Sequence, residues 1–231
     1  MRTKTLLLTA AVFATGLSAS MAQVYSVNAV GYVNVPVLPG YNLIANPLNG
    51  TNNSINTVIP KANDSSFCYI WNEGSQIFNQ ALTFFDFGVS PDTGWYSGDN
   101  LATDVLKPGK AFFIVNPGSQ ATLTFVGEVP QGNLTNGIVA GNGFYSHIVP
   151  QKIGLTASGF PGNDSMFLYF FNPTNQQYRQ ALTYFDFGAS PDTGWYDGDT
   201  QVDPAPEVAQ GFLINNPSSP RSWVRSFSVN N

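Results

Sequence analysis

The residues best suited to chemistry come in duplicate. Asp92-Thr93-Gly94 recurs as Asp192-Thr193-Gly194, each framed by Ser-Pro before and Trp-Tyr after. Two carboxylates brought together from two halves of a chain can share one proton, which is how an aspartic-type hydrolase works. The neighbours oppose that chemistry, because Trp95 and Trp195 put a bulky indole beside each turn and would obstruct close approach of the carboxylates. A three-residue match is also a weak motif without its context, and here its doubling follows from duplication.

Two other chemistries use the same stretch. Asp86, Asp92 and Asp99 could offer hard oxygen ligands to calcium, although their spacing is not that of a known calcium loop, and Asp is equally a turn-forming residue. Alternatively, Trp95 and Tyr96 with Asp92 and Asp99, and Trp195 and Tyr196 with Asp192 and Asp199, combine planar rings with hydrogen-bonding carboxylates. That combination suits a sugar ring. Against it, a loop Trp in a small β domain more often caps the core. Seven of the 14 acidic residues fall in these two copies, so a site, if present, belongs here.

The remaining titratable inventory narrows the field. With His147 as the one histidine, multi-histidine zinc sites and duplicated Ser-His or Cys-His catalysis are excluded within one chain. Cys68, the one cysteine, stands between Phe67 and Tyr69 and is expected to be a buried, inert thiol.

These residues sit in a duplicated frame. Residues 81–100 and 181–200 match at 16 of 20 positions with an offset of 100. Residues 1–22 have the form of a secretory signal peptide: Arg2 and Lys4, then an apolar run, then Ser20-Met21-Ala22 as a small-x-small cleavage site. Cleavage near Ala22 leaves 7 basic against 14 acidic residues, a net charge of −7 (7 − 14), which disfavours nucleic acid. No later apolar run is long enough for membrane insertion.

Short apolar segments punctuated by Gly, Pro and Asn recur throughout, and none shows a sustained helical period. The pattern predicts an all-β chain of two tandem β-sandwich or barrel-like repeats of about 100 residues each. The expected limits are 23–129 for the first repeat, 130–142 for a glycine-rich connection and 143–231 for the second. Gly143-Phe144 reads as the counterpart of Gly40-Tyr41, and Val126-Gly127, by likeness to Val30-Gly31, suggests that the strand ending the first copy belongs to the second. In the strand through residues 81–87 the odd positions are identical in both copies while Phe84 becomes Tyr184, so the odd face is expected to point inward. In the strand from Ala111 the even face, with Phe112, Ile114 and Asn116, is expected to be the core face.

Gly40-Tyr41-Asn42-Leu43-Ile44-Ala45-Asn46-Pro47, Tyr69-Ile70-Trp71-Asn72 and Pro108-Gly109-Lys110-Ala111-Phe112-Phe113 form an ordered series. It resembles the "GWNLIxNP … PGxxFF" modules of exported and cell-surface bacterial proteins. The resemblance implies a β-rich fold of mostly undefined function, secreted, periplasmic or cell-surface, and brings no catalytic residue with it. The expected role is therefore non-enzymatic and structural or adhesive, with a polysaccharide or another surface protein as partner. A carbohydrate-binding module is the alternative, and an aspartic-type hydrolase the more distant one.

Overall fold

The computed structural model describes residues 29–229. The signal-peptide reading of residues 1–22 lies outside them. Each repeat is a sandwich made of a seven-stranded antiparallel sheet and a two-stranded ribbon. In the first, β1 (Val30–Val37) and β9 (Ala121–Glu128) form the ribbon. The sheet runs β2 (Gly40–Ala45), β8 (Ala111–Asn116), β3 (Phe67–Asn72), β5 (Leu82–Phe85), β6 (Gly94–Ser97), β7 (Asn100–Leu101), with β4 (Ile77–Phe78) paired to β3. A single helical turn, α1 (Ile55–Val58), lies beneath it.

The second repeat repeats this order: β11 (Gly141–Tyr145), β17 (Phe212–Asn216), β12 (Met166–Asn172), β14 (Leu182–Phe185), β15 (Gly194–Asp197), β16 (Thr200–Val202), with β13 (Gln177–Tyr178) on β12. Its ribbon is β10 (Gly132–Ile138) with β18 (Arg221–Phe227). Period-two alternation drives each layer: Val35 and Val37 of β1 and Leu123 and Phe125 of β9 face Ile44, Cys68, Leu82, Phe84, Phe112 and Ile114 of the sheet. Cys68 is fully buried, and burial pushes its thiol pKa up, so it is inert as expected.

Four expectations are corrected. The even face of β5 points inward: Leu82 and Phe84 are buried, whereas Phe85 and Phe87 are exposed. Tyr184 keeps the inward orientation and is half-buried, its ring 5.3 Å from Trp195. The glycine-rich segment 130–142 contains β10 and the start of β11. Strand β9 belongs to the first copy, paired along its length with β1. Finally, Gly40 and Gly141 occupy the same register, opposite Asn116 and Asn216, which shifts the proposed Gly40–Gly143 match by two residues. Leu43 and Phe144 are thus equivalent.

The expected core face of β8 is observed, since Phe112, Ile114 and Asn116 are all buried, yet Phe113 on the opposite face is buried as well. That second face meets the other repeat. Leu43, Ala45, Ala111, Phe113 and Phe144 form a third apolar cluster, flanked by Tyr69, Trp71, Phe171 and Leu213. The contacts across it are reciprocal, as in an isologous two-fold pair. Gln176 accepts from the Tyr41 N–H (2.7 Å) and donates to the Tyr41 carbonyl (3.1 Å). Gln76 does the same to Asn142 (2.7 and 3.0 Å). Both glutamines sit at positive φ, 56° and 58°. Gly40 and Gly141 face them at φ 87° and 80°, in the left-handed region that favours glycine, with the glutamine Oε1 2.6 Å from where a Cβ would lie. Further along the two strands, Ala45 N–H donates to Ala209 carbonyl (2.9 Å) and Ser146 N–H to Gly109 carbonyl (3.1 Å). Lys110 adds a polar tie, bonding Glu73 (2.6 Å) and the Gly137 carbonyl (2.9 Å) while lying 4.4 Å from the centre of the Tyr145 ring.

Candidate binding site

The duplicated stretch forms the β5–β6 hairpin and its twin, β14–β15, beyond β3 and β12 on the side of each sheet away from β2 and β11. Each loop is tied by its own side chains. Asp64 Oδ1 accepts from Asp86 N–H (2.9 Å), Asp86 Oδ1 from Gly88 N–H (2.8 Å), and Thr93 Oγ1 from Phe87 N–H (2.9 Å). The Asp86 N–H, aided by the Ser65 hydroxyl, holds the Asp64 carboxyl below its ordinary pKa. Asp92 N–H donates to Ser90 Oγ (3.1 Å), and Tyr96 donates its hydroxyl to the Asp92 carbonyl (2.6 Å). The second copy reproduces this set through Asp164, Asp186, Thr193, Ser190 and Tyr196.

Trp95 and Trp195 are fully buried. Trp95 stacks edge-on to Phe84 (5.3 Å) and donates from Nε1 to the Ile59 carbonyl (2.8 Å), while Asn56 ties its backbone N–H (2.7 Å). The indoles therefore cannot stack on a ligand; they anchor the loops. Ser90 and Ser190 each donate to the adjacent Asp92 or Asp192 carboxylate within the same loop (3.3 Å), so each carboxylate is engaged locally. Asp86 is committed to its own turn, and among the described residues no three Asp, Glu, His or Cys side chains converge as a metal site would need.

The turn leaves a groove of about 470 Å³ lined by Phe85, Phe87, Ser90, Asp92, Tyr96, Gly98 and Asp99. Of the residues singled out from sequence, it brings together Asp92, Tyr96 and Asp99. Phe85 and Phe87, expected on the core face, complete it. Phe85 and Phe87 stack with centroids 6.0 Å apart and an interplanar angle of 27°, and Tyr96 meets Phe85 edge-on at 5.7 Å. Phe185, Phe187 and Tyr196 repeat the arrangement at 6.1 and 5.4 Å, beside Asp192 and Asp199 in the equivalent positions. Phe85 and Phe87 are identical in both copies, as are the buried Leu82 and Trp95, so identity alone does not separate the exposed face from the buried one.

Comparison with known proteins finds no matching family model, no matching curated relative and no matching solved structure.

His147 lies apart from both hairpins. It is buried, its Nε2–H placed to donate to the Ile153 carbonyl (2.9 Å), with Nδ1 left without a partner. Burial pushes its pKa down to about 4, with nearby Arg225 acting in the same direction and the Ile153 bond and Asp203 opposing. Since the folded pKa is below the unfolded one near 6.5, the unfolded chain binds a proton first, and stability is lost as pH falls from about 6.5 to about 4. His147→Gln keeps a donor for Ile153 but does not titrate. In urea melts at pH 7 and pH 4.5 the wild type is expected to lose roughly 2 kcal/mol more than this variant; equal losses would show that His147 is not the group responsible.

Proposed function

We propose that the chain is an exported, non-enzymatic repeat protein with a structural or adhesive surface role, and that it holds its target through two equivalent grooves, one per repeat. The observation that carries this reading is the exposed Phe85–Phe87–Tyr96 cluster beside Asp92 and Asp99, matched by Phe185, Phe187 and Tyr196 beside Asp192 and Asp199. Exposed stacked rings cost solvation and are held in place by loop hydrogen bonds, a combination that suits recognition more than folding. The resemblance to exported modules fits the same role.

A carbohydrate partner is the second reading. The stacked phenyl pair offers a flat apolar surface and the flanking carboxylates offer acceptors, so the stacking role expected of the tryptophans passes to the phenylalanines. Two sites on one rigid body bind a repetitive surface with avidity. Labelled protein is expected to be retained on intact bacterial cells or on an insoluble polysaccharide. Retention should drop at least tenfold in Phe87→Ser and further in the Phe87→Ser, Phe187→Ser double variant, which leaves no avidity between the two grooves. Retention on neither surface, or retention indifferent to both substitutions, refutes the proposal, and retention on cells alone removes the carbohydrate reading.

A further inference from the structure

We propose that a cleft between the two repeats, separate from the hairpin grooves, binds a pyranose ring of a glycan. The cleft has a volume of about 420 Å³, and its walls are six aromatic rings and one amide: Tyr41, Tyr69, Phe78 and Phe113 from the first repeat, and Phe171, Tyr178 and Gln176 from the second. That size falls within the range of small-ligand sites. The walls are braced against one another. Phe113 meets Phe171 edge-on at 5.2 Å across the repeat boundary, Phe171 meets Tyr178 at 5.4 Å, and Tyr41 meets Phe113 at 5.9 Å. Gln176 is fixed by its bonds to Tyr41, so the cleft is formed before any ligand arrives.

Its chemistry selects among ligands. No charged residue lines it. The phenol hydroxyls of Tyr41, Tyr69 and Tyr178 have no hydrogen-bond partner among the described residues, whereas that of Tyr96 does. A pyranose with equatorial hydroxyls presents axial C–H bonds to aromatic faces and an equatorial rim of donors and acceptors to phenols. A trimethylammonium group or a hydrocarbon ring would use the faces and leave the three hydroxyls unmatched.

The two-fold relation supplies a contrast. At the equivalent place on the other side, Asn142 replaces Tyr41, Trp71 replaces Phe171 and Leu213 replaces Phe113. There the Trp71 Nε1 donates to the Asn142 carbonyl (3.0 Å) and its ring packs 5.3 Å from Phe144. The cleft thus differs between the two sides of the repeat boundary, and the inference stands independently of the groove reading.

The test is calorimetric titration of the intact protein with hexasaccharides of β-1,4-linked glucose, xylose, mannose and N-acetylglucosamine, and with choline. At least one hexasaccharide is expected to bind. Tyr178→Ala should weaken it tenfold or more, and Tyr41→Phe and Tyr178→Phe, which keep the rings, by several-fold each. The Phe87→Ser, Phe187→Ser double variant removes the hairpin grooves and should keep one hexasaccharide site per chain, the site that Tyr178→Ala weakens. Binding of none of the sugars overturns the proposal. So does affinity indifferent to the three tyrosine substitutions, loss confined to the hairpin double variant, or choline binding as tightly as the sugars.

Discussion

Trp95→Ala is expected to destabilise the protein by about 4 kcal/mol, lowering Tm by roughly 10 °C. The indole is fully buried against Phe84, and its removal leaves both a cavity and an unanswered Ile59 carbonyl. The paired experiment is more discriminating. Trp95→Phe removes the donor from a made bond, whereas Trp195 Nε1 has no partner among the described residues, so Trp195→Phe deletes a polar atom that gains nothing by being buried. Trp95→Phe should therefore cost about 1–2 kcal/mol more than Trp195→Phe in denaturant melts. Equal costs would mean that the Ile59 bond does not carry the difference. Neither tryptophan variant should affect ligand retention at its groove before the repeat unfolds, which separates the anchoring role from a binding role.

Phe113→Asp is expected to have the second large effect. Phe113 lies at the centre of the inter-repeat cluster, ringed by Tyr41, Phe78, Phe144 and Phe171 at 5.2–6.0 Å. An aspartate there would bury a carboxylate with no cation in the cluster, beyond the loss of about 3–5 kcal/mol for the phenyl ring alone. Each repeat has its own core, so the expected result is uncoupling. Calorimetry is expected to show one transition for the wild type and two for Phe113→Asp, at least one of them at lower temperature. A single transition at the original Tm would show that the repeats are not stabilised through this face.

Much of the architecture was readable because it rests on local rules. The duplication, the short strands with their Gly-Pro-Asn stops, and the even-faced core of β8 follow from period and turn chemistry, and all are observed. Strand β10 was not readable because its core position 136 holds an asparagine. Asn136 is buried and donates to the Gly109 carbonyl (2.6 Å) of the other repeat, and nothing local signals a partner 27 residues away. The face of β5 was misread for a related reason. Both faces of that strand carry aromatics, so alternation gives no direction, and identity between copies does not distinguish a buried face from an exposed one. For the candidate site, Asp92, Tyr96 and Asp99 were legible as loop residues, whereas the burial of the neighbouring Trp95 depends on α1, forty residues earlier, which supplies its floor.

The side-chain amides of Gln76 and Gln176 also stand in for a neighbouring strand at the outer edges of β2 and β11. In a solenoid each unit offers a fresh surface to the next, and growth stops only where a specialised terminal unit intervenes. Here the outer backbone of β2 is occupied by Gln176, Ala209 and Gly211, and that of β11 by Gln76 and Gly109. Each copy thus covers the β2 or β11 edge of the other, while β7 and β16 form the opposite edges of the two sheets. At β2 and β11 a further strand cannot be added without displacing the partner repeat.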